Sequence, residues 1–187
     1  PNRKDRIVHT TRAVGVVSKA MRNLSRDDTI GLRGPFGTSW PVEEAVGHDL
    51  VLVTGGIGLA PLRPVLYHVL NNRNQYGQVS LLYGARTPDD ILYRREFFSP
   101  SSVNDLYIGL TVDSVKGHWD GNIGVVTDRI SHATFDPDNT IAMVCGPEVM
   151  MRFTIQGLDA RGISKDRMFV SMERNMKCAV GFCGHCQ

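Results

Sequence analysis

The chain has 187 residues, 42% of them hydrophobic and 21% charged, with a formal net charge of +2; that is an ordinary globular composition, with room for one good core and part of a second. Acidic and basic residues are interspersed with no long basic run, which argues against nucleic acid as the main partner, and no apolar run approaches the ~18 residues of a membrane span. The opening "PNRKDR" is charged and no signal-peptide core follows, so a cytoplasmic protein is expected. There is no initiator Met, and the chain reads as a piece of a longer one at both ends.

Residues 1–46 read as β structure with one short helix. "RIVHTT" and "TIGLRG" have strand character, and "SKAMRNL" between them predicts a helix capped by Ser18. "GPFGTSWP" is turn chemistry leading out of the segment. Two or three strands cannot cover their own edges, so this stretch is expected to be part of a larger β domain.

From about residue 48 the texture changes. The short apolar runs "LVLVT", "VSLLYG", "LYIGLTV", "IAMVCG" and "MFVSM" are apolar on both faces, as parallel strands between two helix layers are. Leu62, Val65, Leu66, Val69 and Leu70 form one helical stripe between the first two runs. "PDDILYRREFF" predicts a second helix, with Asp89 and Asp90 favourable to its start. "GVVTDRI" predicts a third, shorter helix and "PEVMMRFTIQGLDARG" a fourth. Strand and helix alternate throughout, which predicts an α/β domain built on a doubly wound, parallel, five-stranded sheet.

Within that domain "VTGGIGLAPLRPVL" is a strand, a glycine turn and a helix. Gly56-x-Gly58-x-x-Pro61 has the spacing of a dinucleotide turn, with Pro where the third glycine usually sits. Glycines there let the backbone approach a pyrophosphate, and amides at the helix start hold its charge. The other reading is a tight βα turn with no ligand. If the turn binds, a Val at Gly58 is expected to stand where the pyrophosphate must approach. "AMVCGPEVM" repeats the arrangement one strand on: Cys145 ends the strand, Gly146 turns and Pro147 starts a helix. By residue type alone Cys145 is a small buried hydrophobe. Gly15 and Ser18 in "VGVVSKAM" make either a plain helix cap or a second phosphate site.

Cys178, Cys183 and Cys186 are three of only four cysteines and fall within nine residues. A disulfide set is not expected in a reducing compartment. C-x4-C-x2-C is the plant-type [2Fe–2S] spacing, which needs a further cysteine downstream. Zinc held by these three with His185 is the competing reading.

Taken in order, "VGVVS", "GPFG", "GGIGLAP", "YGAR", "CGP" and "ERNMKCAVGFCGHC" resemble the ferredoxin–NADP reductase superfamily, in its branch with a C-terminal [2Fe–2S] segment. That branch includes hydrogenase gamma subunits, to which the cysteine-rich end is most similar, and electron-transfer subunits of dihydroorotate dehydrogenase and of sulfite reductase. The resemblance implies a flavin-dependent NAD(P)H oxidoreductase subunit with FAD, NAD(P) and a [2Fe–2S] cluster, serving catalytic and electron-transfer partners. A metal-bearing docking subunit with no enzymatic role is the reading from another class.

Carried over by position, the resemblance places FAD pyrophosphate at Gly15, Val16, Val17 and Ser18. It places the nicotinamide dinucleotide's phosphates at Thr54, Gly55, Gly56, Gly58, Ala60 and Pro61, with Gly84, Ala85 and Arg86 lining the cleft. Cys145, Gly146 and Pro147 are placed beside the nicotinamide, with Cys145 near the hydride-transfer carbon. Asp113, after the third strand, would hydrogen-bond a ribose 2′-hydroxyl, offset by Arg86, Lys116 and His118. Cys178, Cys183 and Cys186 supply three cluster ligands, the fourth lying beyond Gln187. The implied organisation is the end of a flavin β-barrel over 1–46, a nucleotide domain over 47–173 and the start of a cluster segment over 174–187.

Overall fold

The computed structural model describes residues 7–98, 106–172, 177–178 and 182–184. Contacts divide the chain into two compact units, one of Trp40–Glu173 and one of the residues up to Ser39 together with those from Arg174.

In the larger unit the apolar runs become a wholly parallel sheet of β1 (Asp49–Gly55), β2 (Val79–Ala85), β3 (Tyr107–Val112), β4 (Asn122–Ile123), β5 (Thr140–Cys145) and β6 (Met168–Ser171). Its order is β4-β3-β2-β1-β5-β6. The sheet has six strands where the sequence predicted five. The addition, β4, is two exposed residues beside β3, too short to leave a hydropathy pattern.

Strand alternation divides the core in two. Leu50 and Leu52 of β1 pack with Leu81, Tyr83, Met143 and the stripe Leu62, Val65, Leu66 and Val69 of α2 (Leu59–Asn71). On the other face Val51 and Val53 pack with Leu82, Val144, Val126 and Ile130, and with Met151 and Leu158 on a second long helix, Glu148–Ala160. Helices on both faces of a parallel sheet make the predicted doubly wound architecture. At the amino edge the buried Asp49 accepts backbone N–H groups of Gln78 (2.7 Å) and Asp136 (2.9 Å), tying three loops together.

Two helices differ from expectation. Residues 88–98 form a 3₁₀ turn at Pro88–Asp90 and a separate short helix, α3 (Arg94–Phe97). Between them Ile91 is buried, Leu92 donates to the Tyr83 hydroxyl, and Tyr93 takes a left-handed φ of 52°. Tertiary contacts thus break a run that local propensity would continue. Residues 126–132 form a 3₁₀ helix, wedged by Val126 and Ile130 under β1 and β2.

The smaller unit holds α1 (Val16–Arg22). "RIVHTT" and "TIGLRG" form no strand among the described residues, since neither finds a neighbouring ladder there, and Ile7, Val8 and Leu32 stay exposed. Ser18 is not the cap residue but the third residue of α1. Its Oγ accepts from the amides of Val14 (3.1 Å) and Gly15 (2.9 Å), and Gly15 is the cap. No helix among the described residues is long and apolar enough to cross a membrane.

Candidate functional site

All strands run the same way, so their carboxyl ends lie along one edge. The chain leaves β1 toward β2 on one side, and β5 lies on the other. This reversal between β1 and β5 is where an open α/β sheet leaves a crevice for a ligand. The two glycine turns singled out in the sequence, Gly55–Gly58 and Gly146–Pro147, flank it.

The turns are built against each other. A Cβ on Gly58 would lie 2.7 Å from the carbonyl carbon of Cys145 and 2.9 Å from the Cα of Gly146; one on Gly146 would lie 3.0 Å from the Gly55 nitrogen. The space beside Gly58 is therefore filled by the neighbouring loop. A Val there would collide with that loop before meeting any ligand, which changes the reason expected for this glycine. Met150 closes the other side, its Sδ 2.7 Å from where a Gly55 Cβ would stand. Gly56 has φ 54°, the left-handed region open to glycine.

Residues 56–58 form a 3₁₀ turn that runs directly into α2. No acidic residue sits in the first turn of α2, and its cap residue Gly58 contributes no side-chain hydrogen bond. The helix that follows β5 differs, for Glu148 opens it and pairs with Arg152 at 3.1 Å. Of the two helix starts, only that of α2 leaves the amide-rich end without a carboxylate, so it is the one suited to an anion. Pro61 falls in the first turn of α2, where a missing N–H costs nothing, and its carbonyl accepts from the Trp40 indole at 3.0 Å.

Cys145 ends β5 with 8% of its surface exposed, inside the core shared with α2. Register puts Tyr83, Thr54, Cys145 and Ser171 in one row across four strands. Thr54 is wholly buried, and its Oγ1 has no hydrogen-bond partner among the described residues. At the end of β2, Ala85 is buried, and Arg86 just beyond it is exposed; Gly84 abuts Val126, where an added Cβ would come within 3.0 Å. The exposed Asp113 is joined to this loop through backbone bonds, its own N–H to Ala85 (2.9 Å) and that of Ser114 to Arg86 (3.0 Å). His118 is engaged by Asp120 at 3.1 Å, both of them exposed.

The remaining candidates lie in the smaller unit. Val16 and Val17 are exposed, and the amides of Val14 and Gly15 are occupied by Ser18. A cleft of about 620 Å³ lies beside them, lined by His9, Thr11, Ser18, Met21, Arg22 and Ile30. Cys178 is half-buried, its carbonyl accepting from Arg33, and Cys183 is exposed. Cys186 and His185 lie outside the described residues, and among the described residues no three His, Cys, Asp or Glu side chains come together as a metal site.

Sequence reasoning missed Tyr83, whose hydroxyl donates to the Gly56 carbonyl at 3.3 Å, and Met150, which packs on both turns. The one signal was a Tyr directly before "GAR" at the end of an otherwise aliphatic strand.

Residues 52–156 match the family of the oxidoreductase NAD-binding domain. The chain is 34% identical to sulfhydrogenase 2 subunit gamma of Pyrococcus furiosus, over 94% of its own length and 65% of that protein. It is 32% identical to a probable dihydroorotate dehydrogenase B (NAD(+)) electron transfer subunit of Archaeoglobus fulgidus, over 95% of its length and 68% of that one. The chain thus spans about two thirds of these curated relatives. Among solved structures it resembles the cytochrome b5 reductase domain of Ulva prolifera nitrate reductase, with 26% identity and a TM-score of 0.70 over 84% of this chain and 64% of that one. A ferredoxin NADP+ reductase from Neisseria gonorrhoeae shares the fold at 20% identity, with a TM-score of 0.69 over 84% and 69% of the two chains.

Proposed function

The chain belongs to the oxidoreductase NAD-binding domain family, and on that premise we propose that it is the nucleotide-binding part of a flavin-dependent NAD(P)H oxidoreductase subunit. The full protein would pass electrons between NAD(P)H, FAD and a [2Fe–2S] cluster, to or from a catalytic partner subunit such as a hydrogenase, in the cytoplasm. The observation that carries this reading is the pair of glycine turns at the β1–β5 reversal, packed backbone on backbone beside a helix start free of acidic residues.

In this reading Gly56, Gly58, Ala60 and Pro61 form the seat for the dinucleotide's phosphates, with Thr54 and Gly55 leading into it. Gly84, Ala85 and Arg86 line one wall, and Asp113 faces the ribose. Cys145, Gly146 and Pro147 border the nicotinamide end. There the backbone fixes the ring's approach, and the mostly buried thiol excludes water. Gly15 to Ser18 belong to the flavin side, in a segment that ends near residue 46, and Cys178, Cys183 and Cys186 to the cluster side, from about residue 174. Bound flavin supplies the change between two-electron and one-electron chemistry, while the chain binds, orients and shields.

The relatives named as hydrogenase and dihydroorotate dehydrogenase subunits support a role within a larger redox complex. The electron-transfer subunit of a dihydroorotate dehydrogenase is the second reading, favoured by the latter relatives. Anaerobic addition of NADH to the full-length protein tests the proposal. The flavin absorbance should bleach within the mixing time of a turnover experiment. A protein with no flavin band, or one that NADH and NADPH both leave unbleached, would point instead to a docking subunit without enzymatic role.

A further inference from the structure

Tyr83 is fully buried on the α2 face of β2, in register with Thr54, with its ring stacked on Phe98 at 5.5 Å. Its hydroxyl joins two loops of the carboxyl edge. It donates to the Gly56 carbonyl at 3.3 Å and accepts from the Leu92 N–H at 3.1 Å. The first loop is the glycine turn after β1, and the second is the segment where the expected helix breaks.

The peptide between Gly56 and Ile57 is trans, the one cis bond among the described residues being Gly34–Pro35. In a trans peptide the C=O and the following N–H point in opposite directions. The Gly56 carbonyl accepts both the Leu59 N–H of its own turn and the buried phenol, which turns the Ile57 N–H away from the core. Ile57 is the second residue of its 3₁₀ turn, so no earlier carbonyl of that turn is placed to receive its N–H. Gly55 and Gly56 precede this peptide, and glycines resist its rotation least.

We propose that Tyr83 is a positioning residue for the dinucleotide: its hydroxyl holds the Gly56–Ile57 peptide so that the Ile57 N–H faces the phosphate, and ties that orientation to the Ile91–Tyr93 segment. The proposal rests on the reading of the glycine turn as the phosphate seat.

The test is a titration of the full chain with NADH, followed by amide resonances and by affinity, in wild type, Tyr83→Phe and Tyr76→Phe. Tyr76 is the control, because its hydroxyl donates to Val42 (3.1 Å), away from the glycine turn. Removing one hydrogen bond that only the bound state exploits should weaken NADH about fivefold in Tyr83→Phe. Tyr76→Phe should bind as wild type does. The Ile57 amide should shift on binding in wild type and shift less in Tyr83→Phe. If Ile57 stays still in wild type at saturation, the phosphate seat lies elsewhere and both readings fall. If Ile57 moves and Tyr83→Phe binds as tightly as wild type, the role of Tyr83 alone falls. Coupling is reciprocal, so NADH must also strengthen the Tyr83–Gly56 bond. In wild type labelled at tyrosine Cζ, the Tyr83 resonance should therefore move with NADH, a readout that stands even if Tyr83→Phe does not fold; a fixed resonance overturns the proposal.

Discussion

Gly58 and Cys145 meet backbone to backbone: a Cβ on Gly58 would stand 2.7 Å from the carbonyl carbon of Cys145. No flexible side chain is there to give way, so the smallest substitution must push the β5 turn. Overpacking of this kind costs about 1–3 kcal/mol. Gly58→Ala is expected to melt about 3–10 °C below wild type. Scanning calorimetry checks this, and an unchanged melting temperature would mean that the two turns are farther apart than described. The cost falls on folding, so loss of ligand by this variant would not by itself locate the ligand.

Asp49 carries two charge-assisted bonds on the amino edge, from the N–H groups of Gln78 and Asp136. In Asp49→Asn the amide nitrogen faces one of those donors and strands it. A stranded buried donor costs about 1–3 kcal/mol. Chemical denaturation should show that loss as a lower midpoint with an unchanged slope, because the same surface is exposed on unfolding.

Much of the nucleotide domain was legible because its strands are buried on both faces. "LVLVT" and "IAMVCG" are nearly continuous apolar runs, and the stripe from Leu62 to Val69 could only be one helix face. What failed to read was whatever tertiary contact decides. The break at Ile91–Tyr93 is set by a hydroxyl from β2, and β4 by a two-residue register with β3. "RIVHTT" and "TIGLRG" have strand composition, but strands need partners that these segments do not have among the described residues. The site was half legible. Glycine spacing marked both turns, yet nothing in the spacing said that Gly58 is small because of Cys145, or that a Tyr reaches up from β2 to hold the turn.

Thr54 offers an opposite stability test to Asp49. Its Oγ1 is buried with no hydrogen-bond partner among the described residues, and Val has nearly the same shape without the hydroxyl. Relieving an unsatisfied polar group contributes up to about 1–2 kcal/mol. Thr54→Val should therefore raise the melting temperature by a few degrees. A clear fall would reveal a partner for the hydroxyl, such as a buried water.

Burial raises the Tyr76 phenol above its ordinary value, and the negative charge of Glu43 adds to the rise. The folded state thus holds this proton more tightly than the unfolded chain does. Its contribution is fully present below about pH 10 and is lost as pH rises through the folded value. Alkaline melting curves should fall less steeply above that pH in Tyr76→Phe than in wild type. Parallel curves would show that another group governs the alkaline limb.

On the proposed reading, dinucleotide binds where the sheet reverses, between the turns after β1 and β5. A titration of the isotopically labelled full chain with NADH, read residue by residue through its amide resonances, tests it most directly. Saturable shifts are expected at Gly56–Leu59 and Gly146–Val149, with Asp49, Gln78 and Asp136 on the amino edge unmoved. Shifts confined to the amino edge, or saturation with both turns unmoved, would contradict it.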